Sequence, residues 1–424
     1  MRRLASNSLF LCAVLLVMGA DSGMAVDKPN AQGGMILSAP LTHSDWMMHA
    51  DAPAWGPRGI RTMLEHCKAC GWKRIYWRVF DAGRALYASR LLEPMKYDTS
   101  PEPNCLTSGD LASQAPPDLV GRAMKLDYHG FDTLAQAVRV GHELGLEIHA
   151  WLTINEDDHG WGWPTRFTRE HPEYRWVRRD GRPYRSQLSF AFPEVRKYKL
   201  DLVKEILAYN VDGVFLDWIR TGDIRDNPQN EQGVADYGYE APLVKAFRSK
   251  YGVDPHEVDN GDYRWVRCRA EPITQFMREV HKEVKSHKRK IVLSAMVCHR
   301  WGYRGRPEEG ATDGSLRGLL CDARTWAREG LLDEIVAAGY YTAGGTPESG
   351  YRDLEEETEG RVPLWLYCWV PQSPDDFTRD LALARKLGAR QMLFWEADYI
   401  DTRPAPQREA IMKVMRGNSS LGEH

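Results

Sequence analysis

The middle of the chain reads Asn210-Val211-Asp212-Gly213-Val214-Phe215-Leu216-Asp217-Trp218-Ile219-Arg220. The apolar run Val214-Phe215-Leu216 has no helical period and is too short for a helix, so it predicts a buried parallel strand. That strand leads directly into the carboxylate of Asp217, the indole of Trp218 and the guanidinium of Arg220. In α/β proteins the carboxyl ends of parallel strands carry the ligands and the chemistry. The stretch therefore predicts functional side chains at the end of a buried strand.

Composition favours one large globular domain without a nucleic-acid partner. The chain has 424 residues, of which 43% are apolar, and barrels of this size with insertions are common. Its formal net charge is −3, which gives no electrostatic reason to expect nucleic acid as a partner. Of the eight cysteines, all but Cys12 follow residue 25. Because this leaves an odd number at irregular spacing, a disulfide scaffold is not expected.

Residues 1–25 have the pattern of a secretory signal peptide. Arg2 and Arg3 precede an apolar core at 9–17, and small residues suitable for cleavage follow at 23–25. The apolar core is too short to span a bilayer, and no later stretch is long enough, so no membrane span is expected. We expect a secreted or periplasmic protein with a signal peptide at 1–25, a linker at 26–34, a catalytic domain at 35–417 and a C-terminal tail at 418–424.

Eight short apolar runs alternate with helical patterns along the chain. The strands are predicted at 35–41, 74–80, 146–154, 214–216, 291–297, within 332–341, 362–369 and 389–395. Alternating strands and helices predict a parallel sheet, and eight is the number at which such a sheet closes. The sequence therefore predicts a single-domain (β/α)8 TIM barrel with long βα loops. One of these loops is predicted at 155–192. A helix is predicted at 271–287.

The predicted strand ends carry acidic and aromatic residues. Indoles and phenols stack on the apolar faces of sugar rings, while carboxylates, amides and guanidinium groups bind hydroxyls. No lysine ends a strand, which disfavours a Schiff-base aldolase, and no cofactor is expected. A carbohydrate is therefore the predicted substrate. Its predicted binding residues are Arg78, Trp151, Asn155, Glu156, Trp218, Arg220, Tyr340, Trp369 and Trp395.

Hydrolysis of a glycosidic bond requires two carboxyl groups, one as acid and one as nucleophile or base. Asp217 is predicted to be the nucleophile or base. Glu396 is predicted to be the acid, because its neighbour Trp395 favours a protonated carboxyl. A carboxylate at a strand end can instead cap a helix or pair with arginine. The alternatives for the second carboxyl are Glu156, Asp157, Asp223 and Asp322.

Four segments resemble the glycoside hydrolase-like family 10 of bacterial exported proteins. They are Gly83-Arg84-Ala85-Leu86-Tyr87-Ala88-Ser89, Gly145-Leu146-Glu147-Ile148-His149-Ala150-Trp151, Pro193-Glu194-Val195-Arg196 and 211–220. The resemblance runs from about Met35 to the last strand and implies a (β/α)8 barrel, export and action on glycans. Three positions depart from the family pattern: Arg84 replaces an acid, Thr221-Gly222 replaces Tyr-Pro, and 153–155 replaces an Asn-Pro end.

Two other functions fit the same residues. A barrel that binds glycans without cleaving them needs only the aromatic and polar contacts. A metal-dependent hydrolase would need three or four of its candidate ligands to converge, but their spacing is not typical of a metal site, and no metal is expected. The candidate ligands are His43, Asp45, Asp217, His299 and Glu396.

Overall fold

The computed structural model describes residues 35–41, 57–81, 83–95, 130–155, 157, 165–217, 219, 237–298, 320–338, 345–395 and 405–419. All of them belong to one compact unit, Gln32–His424. The predicted signal peptide at 1–25 and the predicted linker at 26–34 lie outside the described residues.

The described ranges contain eleven strands and ten α-helices. The strands are β1 (Ile36–Leu41), β2 (Arg74–Asp81), β3 (Arg84–Ala85), β4 (Glu147–Thr153), β5 (Arg175–Val177), β6 (Pro183–Leu188), β7 (Gly213–Asp217), β8 (Val292–Cys298), β9 (Glu334–Ala338), β10 (Leu364–Trp369) and β11 (Gln391–Trp395). The helices are α1 (Pro57–Ala69), α2 (Thr133–Leu144), α3 (Arg166–Glu170), α4 (Pro193–Leu207), α5 (Ala241–Tyr251), α6 (Tyr263–Ser286), α7 (Ala323–Arg328), α8 (Glu348–Glu357), α9 (Pro374–Leu387) and α10 (Ala405–Ser419).

Eight parallel strands close into a barrel. Their order is β1-β11-β10-β9-β8-β7-β4-β2, and β1 pairs with both β11 and β2, which completes the ring. The short β3 pairs antiparallel with β2 and lies outside the ring. Because every barrel strand pairs in parallel with both neighbours, all the carboxyl ends meet at one rim. The predicted (β/α)8 barrel is confirmed.

The alternation of side chains along each strand separates two apolar cores. One residue in two points into the barrel, where Tyr76, Trp151, Phe215, Trp365 and Leu393 are buried against one another. The intervening residues point outward and form the larger core beneath the helices. Because the alternation has a period of two, the parity of a residue determines whether it can reach the mouth of the barrel.

Local signals set the ends of the helices. Asp132 caps α2 by accepting a hydrogen bond from the Ala135 N–H at 3.0 Å. Gly145 ends α2 with φ at 73°, and Gly388 ends α9 with φ at 72°; both values favour glycine. These glycines stop each helix close to the following barrel strand.

Two sequence predictions about the elements were wrong. The region 155–192 is not a simple loop, because it contains α3 and the antiparallel pair β5 and β6, whose hairpin buries Trp176. Helix α6 begins at Tyr263, after the cap Asp262, and carries Pro272 inside it. The apolar face of α6 is buried on both sides of Pro272, and this burial outweighs the missing backbone hydrogen bond.

Within the ranges that the structure describes, no helix combines the length and the apolar character needed to cross a bilayer.

Candidate active site

Asp217 is the last residue of β7 and shares the inward parity of Phe215. Its side chain is completely buried, and Oδ2 accepts a hydrogen bond from the Trp151 Nε1–H at 3.0 Å. In the backbone register, Asp217 lies beside Thr153, the last residue of β4. The carboxylate is thus held at the carboxyl end of the barrel, inside the ring.

Trp151 is held on more than one side. The guanidinium of Arg78 lies over its ring at 4.7 Å, and Trp395 meets it edge to face with ring centroids 4.9 Å apart. Trp395 in turn lies 5.9 Å from the Tyr367 ring. These contacts build a wall of aromatic rings and one cation on the same side of the barrel as Asp217.

An irregularity in β2 helps to position this wall. The pairing register with β4 shifts between Arg78 and Phe80. The Phe80 carbonyl accepts a hydrogen bond from Arg78 Nε at 3.3 Å and another from Thr153 Oγ1 at 3.1 Å. A bulge of this kind redirects side chains at the rim of a sheet, and here it ties the ends of β2 and β4 together.

The motifs that contain β4 and β7 also fit together below the mouth. Gly213 lies beside His149, and a Cβ at Gly213 would overlap the imidazole ring. The Asp212 carboxylate accepts hydrogen bonds from the Ile148 N–H at 2.8 Å and from His142 at 2.9 Å. Asp212 and Gly213, at the start of β7, therefore set the register that brings Asp217 to Trp151.

The structure brings together several of the predicted site residues. Arg78, Trp151, Trp395 and Asp217 form the contacts given above. Trp369 pairs in register with Trp395 and is half-buried, and Asn155 is buried just beyond β4. Five further predicted residues lie outside the described residues, namely Glu156, Trp218, Arg220, Tyr340 and Glu396.

Two of the alternative carboxylates have structural roles. Asp157 is buried and accepts a hydrogen bond from Lys199 Nζ on α4 at 2.7 Å. Asp322 caps α7, where it accepts from the Thr325 N–H at 3.0 Å and from the Thr325 hydroxyl at 2.8 Å. Asp223 lies outside the described ranges. Lys199 was not predicted, because a lysine in a helical sequence normally faces water.

The segment after β2 serves to dock a helix. The Glu205 carboxylate on α4 accepts hydrogen bonds from the Tyr87 hydroxyl and the Ser89 hydroxyl, both at 2.6 Å, and from the Arg90 N–H at 2.7 Å. Arg84 pairs with Glu93. Arg84, which stands where the family pattern has an acid, therefore has an acidic partner in this chain.

A second polar cluster forms the floor of the barrel, at the amino ends of the strands. Arg74 contacts Glu147 at 2.7 Å and Glu334 at 2.5 Å, and its guanidinium lies over Trp365 at 4.8 Å. His149 and Arg74 both stabilise the charged form of Glu147 and lower its pKa to about 2. Burial and the nearby Arg74 lower the pKa of His149.

Glu240 is a buried carboxyl away from the strand ends. Burial raises its pKa to about 7. A perturbed pKa often marks a functional site. Here, however, the carboxyl accepts hydrogen bonds from the Ser189 hydroxyl and the Val177 N–H beneath the β5–β6 hairpin. Its position indicates a structural role.

Tyr367 was not predicted as a site residue. It lies two residues before Trp369 on β10 and therefore points into the barrel on the same side, a pattern that the sequence already shows.

Within the described ranges, no group of three or more His, Cys, Asp or Glu residues is placed to hold a metal ion. Of the five predicted metal ligands, the structure describes Asp217. The other four lie outside the described residues, namely His43, Asp45, His299 and Glu396.

Comparison with protein families gives a match to the model named glycosyl hydrolase-like 10 over residues 118–362, more than half of the chain. A search of curated proteins finds no match.

Several solved structures share the fold. The catalytic domain of β-amylase from Paenibacillus polymyxa has a TM-score of 0.58 and 11% identity, over 92% of this chain and 100% of that one. A β-galactosidase from Halorubrum lacusprofundi has a TM-score of 0.55 and 12% identity, over 92% of this chain. One from Marinomonas ef1 has a TM-score of 0.54 and 12% identity, over 90% of this chain. The chain spans 59% of each β-galactosidase. At such low identity, these matches establish the barrel fold alone.

Proposed function

Because the chain belongs to the glycosyl hydrolase-like 10 family, we propose that it is an exported glycoside hydrolase acting on a polysaccharide or cell-wall glycan. It cleaves O-glycosidic bonds with two carboxyl groups and without a cofactor. The observation that carries this proposal is the carboxylate of Asp217, held inside the ring at the carboxyl end of β7 by the Trp151 indole.

In this proposal Asp217 acts as nucleophile or base. The barrel holds it in one orientation, so the carboxylate does not have to be ordered when a substrate arrives. The half-buried Trp369 and Trp395 supply aromatic surface for a sugar ring on the same side of the barrel. The family and the fold of the β-amylase and β-galactosidases support the choice of a glycan as substrate.

We assign the acid role to Glu396, which directly follows Trp395 in the sequence. A glycoside with an activated aryl leaving group needs little protonation, so it separates the two roles. Glu396→Gln is expected to cleave an aryl glycoside much faster than a natural glycan, whereas Asp217→Asn is expected to be slow on both. Asp398→Asn is the comparison, because it makes the same loss of charge two residues further along the chain.

The proposal is tested by incubating the protein with bacterial and algal polysaccharides and measuring reducing ends. The wild type is expected to release them, and Asp217→Asn to be slower by about 10³- to 10⁴-fold. Asp375→Asn is the matched control, because it makes the same change at an exposed position in the first turn of α9. If Asp217→Asn and the wild type release sugar at equal rates, Asp217 is not catalytic.

A second candidate function is glycan binding without cleavage. It is favoured by the complete burial of the Asp217 side chain, which is the state expected of a structural carboxylate. Sedimentation with insoluble polysaccharides distinguishes the two functions. If the protein only binds glycans, wild-type and Asp217→Asn protein both sediment with the polysaccharide, and no reducing ends form. If it is a hydrolase, the wild type releases soluble sugar from the pellet.

Export is part of the proposal and has its own test. Expression of the full chain followed by cell fractionation is expected to place a shortened protein outside the cytoplasm. Its amino terminus is expected to follow Ala25, the end of the predicted cleavage site. A full-length protein retained in the cytoplasm contradicts export and leaves the test of hydrolysis unaffected.

A further inference from the structure

Trp151 was predicted to bind sugar, but its surroundings indicate a different role. Only 1% of its surface is exposed. Its Nε1–H is engaged by Asp217, and Arg78 and Trp395 both pack against its ring. A sugar-stacking platform needs an open ring face, which a residue buried to this degree does not offer.

We propose that Trp151 is a positioning residue, which holds the Asp217 carboxylate through Oδ2 in the orientation that the reaction needs. This inference rests on the proposed function, since it concerns how the reactive carboxylate is held. It applies whether Asp217 acts as nucleophile or as base, because one oxygen reacts in either role.

The contacts around the indole support this assignment. Arg78 is anchored through Nε to the Phe80 carbonyl, and the same carbonyl is bound by Thr153, the register neighbour of Asp217. The β2 bulge therefore connects the cation that packs on Trp151 with the strand end beside Asp217. An indole held in this way presents its N–H in one direction, so the hydrogen bond does not depend on a mobile side chain.

The hydrogen bond also has an electrostatic consequence. An N–H that donates to a carboxylate stabilises its charged form, and the charged form is the one needed by a nucleophile or a base. Trp151→Phe keeps an aromatic ring between Arg78 and Trp395 but removes this donor. The variant is therefore expected to need a higher pH to reach full activity.

The experiment compares Trp151→Phe with Trp365→Phe. Trp365 is equally buried inside the same barrel, lies at the floor under Arg74, and its N–H has no hydrogen-bond partner among the described residues. Trp151→Phe is expected to lower kcat about tenfold, to leave KM within about twofold, and to move the acidic limb of the pH profile up by about one unit. Trp365→Phe is expected to leave all three unchanged.

Three outcomes overturn the inference. A raised KM with unchanged kcat and an unchanged acidic limb would mean that Trp151 binds sugar. An acidic limb at its wild-type position with Trp151→Phe would mean that its N–H does not act on the reactive carboxylate. Equal changes in both variants would mean a general packing effect.

A measurement without substrate separates this inference from the proposed function. In protein labelled with ¹⁵N-tryptophan, the Trp151 indole signal is identified by its loss in Trp151→Phe. Asp217→Asn is expected to shift this signal and to leave the Trp365 signal in place. If the wild type cleaves no glycan but this shift occurs, the proposed hydrolase function is overturned and the hydrogen bond between Trp151 and Asp217 is supported. If no shift occurs, the positioning role fails whatever the activity.

Discussion

The two ends of the barrel use the same pair of side chains for different purposes. At the floor, Arg74 lies over the Trp365 ring at 4.8 Å, and at the mouth Arg78, on the same strand, lies over the Trp151 ring at 4.7 Å. The floor arginine also forms ion pairs with Glu147 and Glu334. At the mouth, the Asp217 carboxylate accepts a hydrogen bond from the Trp151 indole, a neutral donor.

The difference indicates how a barrel separates stability from chemistry. Ion pairs at the floor neutralise buried charges and hold three strands together, so these groups are committed to the fold. At the mouth, the indole N–H orients the Asp217 carboxylate, and a neutral donor does not itself neutralise a negative charge. The floor is therefore expected to determine stability and the mouth to determine activity.

The largest expected effect is on the floor. Arg74→Met leaves Glu334 half-buried without its cation, and breaking a buried ion pair typically costs about 3–5 kcal/mol of unfolding free energy. Denaturant unfolding measures the change. Arg61→Met is the control, because Arg61 pairs with Glu143 at the surface, where loss of a pair costs about 1 kcal/mol or less. Equal losses in the two variants would contradict a special role for the floor.

Gly213 joins the floor to the strand that carries Asp217. Gly213→Ala forces a Cβ into the His149 ring, and overpacking of this kind is expected to cost about 1–3 kcal/mol of unfolding free energy. His149→Ser removes the ring, so the double variant is expected to lose less than the sum of the single variants.

The control for this cycle is Gly417→Ala on α10, where nothing lies within 4 Å of the added Cβ. If the losses from Gly213→Ala and His149→Ser simply add, the two motifs are not coupled through this contact.

At the mouth, Arg78→Met is expected to lower kcat about tenfold, because it removes a cation–π contact of about 1–2 kcal/mol that holds Trp151. Arg74→Met makes the same change at the floor and is expected to keep its kcat once folded. Steady-state kinetics on folded protein provide the comparison. If the effect of Arg78→Met falls on KM alone, Arg78 contacts the substrate and does not support Trp151.

The smallest expected effect is a dependence of stability on pH. The pKa of His149 is lowered from 6.5 by burial and by Arg74, so below pH 6.5 the unfolded chain takes up a proton that the folded chain does not. The stability contribution of His149 is therefore present above pH 6.5 and is lost as the pH falls below it. His149→Gln is expected to lose less unfolding free energy than the wild type between pH 7 and pH 5.

His171→Gln is the control for the pH measurement, because His171 lies at the surface. Unfolding free energies at pH 7 and pH 5 are compared for the three proteins. A wild type and a His149→Gln variant with the same loss would exclude His149 as the source.

Parity explains much of what could be predicted about the site. Asp217, Trp151 and Trp395 were predicted as site residues at strand ends, and the structure describes them inside the ring. The same parity would have included Tyr367, which was missed because only the final residues of the strand were considered. The roles of these residues stay predictions until activity is measured.

The structural partners of the carboxylates could not be predicted. Asp157 was a candidate for catalysis, but Lys199 lies 42 residues further along and meets it only after α4 packs on the barrel. The Arg74 to Glu334 contact joins residues 260 positions apart. Contacts between residues so far apart in the sequence depend on how the barrel closes, and local sequence patterns do not predict them.

By itself, the sequence determined the alternation of strands and helices, their glycine and aspartate ends, and the placement of an aspartate at the end of a buried strand. These features depend on neighbouring residues and on periods of two and 3.6, which a single chain displays directly. The tertiary structure alone decided which carboxylate oxygen the Trp151 indole holds, which carboxylates have structural partners and which side chains meet Arg74 at the floor. Those outcomes depend on distances between strands, and such distances exist only once β1 has paired with both β2 and β11.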